Sequence, residues 1–147
     1  MNILILTCNT GGGHNAVAAA LTESFQRLGA DCRVLDGLSF ISQKASKFVS
    51  RWHTRLYRHH PRLYKAGYMT AEEEDGRAVP KNNPVERYLE RGARRLSRYL
   101  QAERPDAVVC VHVIPALMVT ALRRRGGADM PFCFVATDYT CSPTVGS

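Results

Sequence analysis

Three features of this 147-residue chain predict an α/β fold with a Rossmann-like, doubly wound and mostly parallel sheet. The first is the apolar run Ile3-Leu4-Ile5-Leu6, followed by Gly11-Gly12-Gly13-His14 and an Ala-rich stretch from Ala16 to Leu28. That order reads as a strand, a loop and a helix. The second is that the later strand-like segments are also near-continuous apolar runs, as strands buried on both faces are. The third is their alternation with helix-length segments, which right-handed crossovers wind into one sheet.

Asn2–Thr7 is predicted as the first strand. The helix after it spans His14–Leu28 with Gly29 as its stop, because glycine accepts the left-handed backbone that ends a helix. A second strand, Asp31–Leu35, closes at Asp36-Gly37. The next segment is predicted helical from Ser39 to His60 and broken at Pro61, whose ring removes a backbone donor and crowds the preceding turn. Thr70 to Asn83, with Gly76 and Pro80, reads as a polar, acidic loop. Pro84 suits the first turn of a helix over Val85 to Glu103, where its missing N–H goes unneeded. Pro105-Asp106 leads into a buried strand, Ala107–Val111. Pro115 opens a helix to Arg125 that Gly126-Gly127 ends, and Pro131–Ala136 is the last strand. One domain is expected. Because the chain stops at Ser147 without a closing helix, it is expected to be part of something longer.

With 45% hydrophobic and 22% charged residues the composition is that of an ordinary globular domain. Its length buries roughly two-thirds of the unfolded surface. No apolar run approaches the roughly 20 residues of a membrane span. The N-terminus lacks the basic and apolar regions of a signal peptide, so a cytoplasmic protein is expected. None of the five cysteines forms a CxxC pair. Cys8, Cys32, Cys110 and Cys133 lie in or beside predicted strands and read as buried thiols, while Cys141 lies in the final loop.

The formal charge of +7 belongs to one segment. From Gly37 to Ala71 there are seven basic residues and no acidic one: Lys44, Lys47, Arg51, Arg55, Arg58, Arg62 and Lys65. Elsewhere 13 basic residues balance 13 acidic ones. On a helix the seven fall within an arc of about 80°, beside the stripe Ile41, Ala45, Phe48, Val49, Trp52 and Leu56. With Trp52, Tyr57, Tyr64 and Tyr68 interleaved, this pattern fits an interfacial helix on an anionic membrane surface. Each cation near such a surface contributes about 1 kcal/mol. Lys47, Arg51, Trp52, Arg55 and Arg58 are the expected membrane contacts. The plainer reading is a helix with its apolar stripe on the sheet and a solvated basic face. Nucleic acid is set aside as a partner, because no recognised binding motif accompanies the stripe.

Ligands of doubly wound sheets bind beyond the carboxyl ends of the strands. Those ends carry Asn9–His14, Asp36, His112 and Thr137-Asp138-Tyr139. Gly11, Gly12 and Gly13 allow close backbone approach, and a helix N-terminus behind them favours a phosphate or diphosphate. Asn15, His112 and Thr137 complete the expected substrate-binding set. His14 is the candidate general base, since imidazole titrates near neutral pH, and Asp138 is the second catalytic candidate. A structural or capping role is the plainer reading for each histidine. Gly11-x-Gly13-x-x-Ala16 with Asp36 also matches a dinucleotide fingerprint, so an NAD-dependent oxidoreductase domain is an alternative. A non-enzymatic membrane-binding module is another. No metal is demanded: His59-His60 lacks a cysteine or carboxylate at ligand spacing.

Taken together, these residues resemble the N-terminal domain of the monogalactosyldiacylglycerol synthase and processive diacylglycerol glucosyltransferase family. The resemblance rests on Ile3 to Thr7 with Gly11-Gly12-Gly13-His14-Asn15-x-x-Ala18 and on the aromatic-basic segment from Trp52 to Tyr68. It continues through Arg104-Pro105-Asp106, His112 and Thr137-Asp138-Tyr139. It implies the N-terminal half of a GT-B fold, in which two Rossmann-like domains face each other across a cleft. The implied reaction is attack by a diacylglycerol hydroxyl on the anomeric carbon of a UDP-sugar, the donor substrate, with no further cofactor. The implied partners are a diacylglycerol-type acceptor, an anionic membrane surface and a C-terminal donor-binding domain that this chain lacks. Such a chain alone is expected to bind without turnover, peripherally on the inner face of the cell membrane. Plant-type members place a histidine where Ser142 stands here, which leaves His14 and Asp138 as the expected catalytic residues.

Overall fold

Parallel strands β1 (Asn2–Thr7), β2 (Asp31–Asp36), β3 (Ala107–Cys110) and β4 (Phe132–Phe134) form one sheet in the order β2-β1-β3-β4. The computed structural model describes residues 1–9, 12–42 and 84–137, with side chains from 89 onward in the last stretch. Its helices are α1 (Gly12–Arg27), α2 (Gly37–Ile41), α3 (Pro84–Glu103) and α4 (Val113–Arg124). The Rossmann-like class read from the apolar runs is the class observed.

The period of two along each strand divides the core into two layers. Ile3 and Ile5 of β1, with Val109 and Val111 at β3, meet Ala18, Val17, Leu21 and Phe25 of α1. Leu4, Leu6 and Cys8, with Val108 and Cys110, face the opposite way. They meet Leu38 and Ile41 of α2, Ala93, Leu96 and Leu100 of α3, and Met118, Val119 and Leu122 of α4. The sheet grows from β1 to β2 with its helix on one face and from β1 through β3 to β4 with helices on the other. Right-handed crossovers require that arrangement.

Sequence signals explain the element ends. Gly29, at φ 81°, closes α1 in a Schellman motif: Ala30 N donates to Phe25 O at 3.0 Å and Gly29 N to Gln26 O at 2.9 Å. Gly126, at φ 67°, closes α4 through the same pair of bonds. Asp106 joins the amino ends of β1 and β3, because its carboxylate accepts the Asn2 N–H at 2.6 Å while its own N–H donates to Asn2 O at 2.8 Å.

Several boundaries differ from the expected ones. α1 begins at Gly12 and α4 at Val113, each two residues earlier than read from His14 and Pro115. β4 is only three residues long. Of the helix expected from Ser39 to His60, the described residues cover only its start, where α2 ends at Ile41: Ser42 is extended at φ −165° and donates its N–H to Leu38 O. That short helix is set by Asp36, which caps it, and by Leu38 and Ile41, one turn apart and both buried. Residues 43–83 lie outside the described residues, and the basic stripe with them. Cys8 and Cys110 are buried as expected and Cys32 is half-buried, but Cys133 is exposed. β4 is an edge strand among the described residues, which leaves one of its faces less covered.

Candidate functional site

The strand order reverses between β1 and β3. The chain leaves β1 for β2 on one side and returns to β3 on the other, which opens a crevice at their carboxyl ends. α1 and α4 both start at this edge, so the positive ends of two helix dipoles meet there. The rings of His14 and His112 lie edge to face, with centroids 4.6 Å apart and planes at 68°.

His14 sits in the first turn of α1 and is half-buried. Its Nδ1 lies 3.0 Å from the carbonyl oxygen of Val111 and 2.5 Å from the hydroxyl oxygen of Thr137. Thr137 in turn donates to the same carbonyl at 3.4 Å. His112 is the N-cap of α4, its Nδ1 accepting the Ile114 N–H at 3.1 Å. That bond requires a bare Nδ1, so in the neutral ring the proton stands on Nε2.

Asn15 is the middle of a short hydrogen-bonded chain. Its Oδ1 accepts from the buried Thr7 hydroxyl at 3.1 Å, and its Nδ2 donates to Asn9 Oδ1 at 3.1 Å. These bonds fasten the start of α1 to the end of β1. Gly12 and Gly13 belong to the first helical turn, not to the loop the sequence predicts. Neither has positive φ, and a Cβ on either would meet nothing within 4 Å among the described residues. Backbone strain and internal packing among the described residues therefore do not demand glycine at these positions.

The structure thus gathers Gly12, Gly13, His14, Asn15, His112 and Thr137 at one edge. Gly11, Asp138, Lys47, Arg51, Trp52, Arg55 and Arg58 lie outside the described residues. Asp36, the ribose-binding acid of the dinucleotide alternative, works locally, because its Oδ1 accepts the Leu38 N–H at 2.9 Å and caps α2. Sequence reasoning missed Thr7 and the Val111 carbonyl as site groups. A backbone carbonyl carries no residue signature, and an isolated threonine at a strand end offers no pattern. Among the described residues no group of three His, Cys, Asp or Glu side chains could hold a metal ion. No helix among them is long and apolar enough to cross a membrane.

Comparison with known proteins gives the family. The chain is 28% identical over 138 residues to the processive diacylglycerol beta-glucosyltransferases of Bacillus thuringiensis (strain Al Hakam), Bacillus cereus (strain AH187) and Bacillus anthracis (strain A0248). The alignment covers 93% of this chain and 34% of each relative, so the chain spans about a third of their length. No solved structure matches it. The pattern of the monogalactosyldiacylglycerol (MGDG) synthase family matches residues 14–146, from His14 onward. On that match, the chain belongs to the monogalactosyldiacylglycerol synthase family.

Proposed function

We propose that this chain is the acceptor-side half of a glycosyltransferase that moves a hexose from a UDP-sugar to diacylglycerol, with His14 as the general base. The observation that carries this reading is the position of His14. Its imidazole stands at the switch point of a doubly wound sheet, held through Nδ1 by a backbone carbonyl, in a chain of this family. Nε2 takes the proton of the acceptor hydroxyl as its oxygen bonds to the anomeric carbon. The bond from that carbon to the diphosphate breaks and UDP leaves. The first-turn amides at Gly12 and Gly13, with the dipole of α1, offset the negative charge of the diphosphate. The donor is held by a second domain; in support, the relatives extend well beyond the third of their length that this chain spans.

The test is to join the chain to the remaining part of the Bacillus cereus (strain AH187) relative and to measure sugar transfer to diacylglycerol. His14→Ala is expected to lower transfer by about 10²- to 10⁴-fold, the usual worth of a positioned base. Undiminished transfer removes His14 from that role.

The basic-aromatic segment supplies the membrane contact in this proposal, peripherally and on the cytoplasmic face. Reversal of Lys47, Arg51 and Arg55 to Glu is expected to abolish co-sedimentation with anionic vesicles at low salt, because each cation at such a surface contributes about 1 kcal/mol. Binding that survives the triple reversal contradicts the membrane role.

A further inference from the structure

A contact made by Thr137 sets the form of the His14 ring. The Val111 carbonyl can only accept, and its oxygen lies 3.0 Å from His14 Nδ1 and 3.4 Å from the Thr137 hydroxyl that donates to it. Its two lone pairs can serve both donors. The Thr137 oxygen, 2.5 Å from Nδ1, is then placed to accept a share of the same imidazole proton. All three contacts are favourable only with the proton on Nδ1. With the proton on Nε2, the bare Nδ1 would face the lone pairs of the Val111 oxygen at 3.0 Å.

We propose that Thr137 is a positioning residue: with the Val111 carbonyl, its hydroxyl holds His14 as the Nδ1–H tautomer and so keeps the lone pair on Nε2. The proposal rests on the reading of His14 as base, since a base needs its lone pair on the atom that faces the acceptor. An unrestrained histidine in water prefers the opposite tautomer. Three separate elements converge on the ring: the first turn of α1, the end of β3 and the segment after β4. The form of the base therefore depends on the docking of the β4 end. His112, whose ring touches that of His14, is held in the opposite form by the Ile114 N–H and serves as an internal reference.

The experiment is long-range ¹H–¹⁵N correlation of the imidazoles in the ¹⁵N-labelled 147-residue chain, at a pH where both rings are neutral. His14 is expected as Nδ1–H and His112 as Nε2–H. Thr137→Val keeps the shape and removes the hydroxyl. It is expected to move the His14 tautomer ratio towards Nε2–H by about fivefold, the effect of one hydrogen bond worth about 1 kcal/mol. Thr137→Ser is expected to restore the ratio, and His112 to keep its form in both variants. An Nε2–H His14 in the unaltered chain overturns the proposal. So does a ratio indifferent to Thr137→Val, or a change shared by His14 and His112, which marks general loosening. The base reading fails separately. A ratio that responds to Thr137, in a joined protein whose transfer ignores His14→Ala, removes the base and leaves the positioning contact standing.

Discussion

Arg104 ends α3 in a conformation that glycine would adopt more easily. At φ 46° it is the non-glycine residue with positive φ among those described, and its N–H donates to Leu100 O at 2.9 Å before Pro105 stops the helix. An L side chain in the left-handed region costs about 1–2 kcal/mol, of which the greater unfolded-state freedom of glycine takes back part. Arg104→Gly is therefore expected to raise stability by about 0.5–1 kcal/mol, seen as a later urea midpoint at unchanged slope. An earlier midpoint contradicts this account of the helix end. The cysteines give a second residue-level expectation. Burial, reinforced by the Asp36 carboxylate, pushes the Cys8 thiol well above its ordinary range, and burial does the same for Cys110. Since the thiolate is the reactive form, both are expected to resist a thiol reagent at neutral pH in the folded chain, while exposed Cys133 is labelled. Prompt labelling of Cys8 or Cys110 under native conditions contradicts the packing described.

α3 shows how an element reads from its sequence and where that reading stops. Leu89, Gly92, Ala93, Leu96 and Leu100 recur at helical spacing and turn to the core, while Arg91, Arg94, Arg95 and Arg98 form the opposite, more solvated side. The pattern placed this helix to within one residue. It could not show that Gly92 is a contact point between helices: a Cβ there would lie 2.5 Å from Met118 Sδ of α4 and 2.7 Å from Ile41 Cγ1 of α2. Gly92→Ala gains about 1 kcal/mol of helix propensity but overpacks the junction by about 1–3 kcal/mol. A net loss is expected, read as an earlier urea midpoint, and a gain contradicts the close approach. On the outer surface Arg125 reaches Glu90 at 2.8 Å and holds its carboxyl below the ordinary range. Such a depressed group stabilises above the unfolded carboxylate range and loses that contribution as pH falls through its folded range. Because the pair is exposed, Glu90→Gln is expected to change acid unfolding only slightly. The early starts of α1 and α4 were hidden for different reasons. Glycine is a poor helix former, so Gly12 and Gly13 read as loop. The N-cap role of His112 depends on where its ring turns, which spacing does not reveal.

For the whole molecule, apolar runs and alternation were enough to reach the sheet class, and the rule for strand ends then named residues that the structure gathers at one edge. His14, His112 and Thr137 were all picked out as strand-end residues, and they do converge. What was not legible is how they divide the work. His112 caps a helix, Asn15 fastens α1 to β1, and Thr137 touches His14 instead of facing the crevice alone. The first two are local contacts that depend on side-chain orientation, which spacing does not reveal, and the third depends on long-range placement of the β4 end, which local sequence does not encode. In the proposed function this crevice receives a diacylglycerol hydroxyl at His14. The most direct measurement follows the imidazole signals of His14 and His112 as short-chain diacylglycerol is added to the chain in zwitterionic bicelles, with bicelles alone as the control. The His14 signals are expected to shift saturably with diacylglycerol, and His14→Gln is expected to weaken the binding. His14 signals that stay unchanged while diacylglycerol binds elsewhere, or no binding at all, would contradict it.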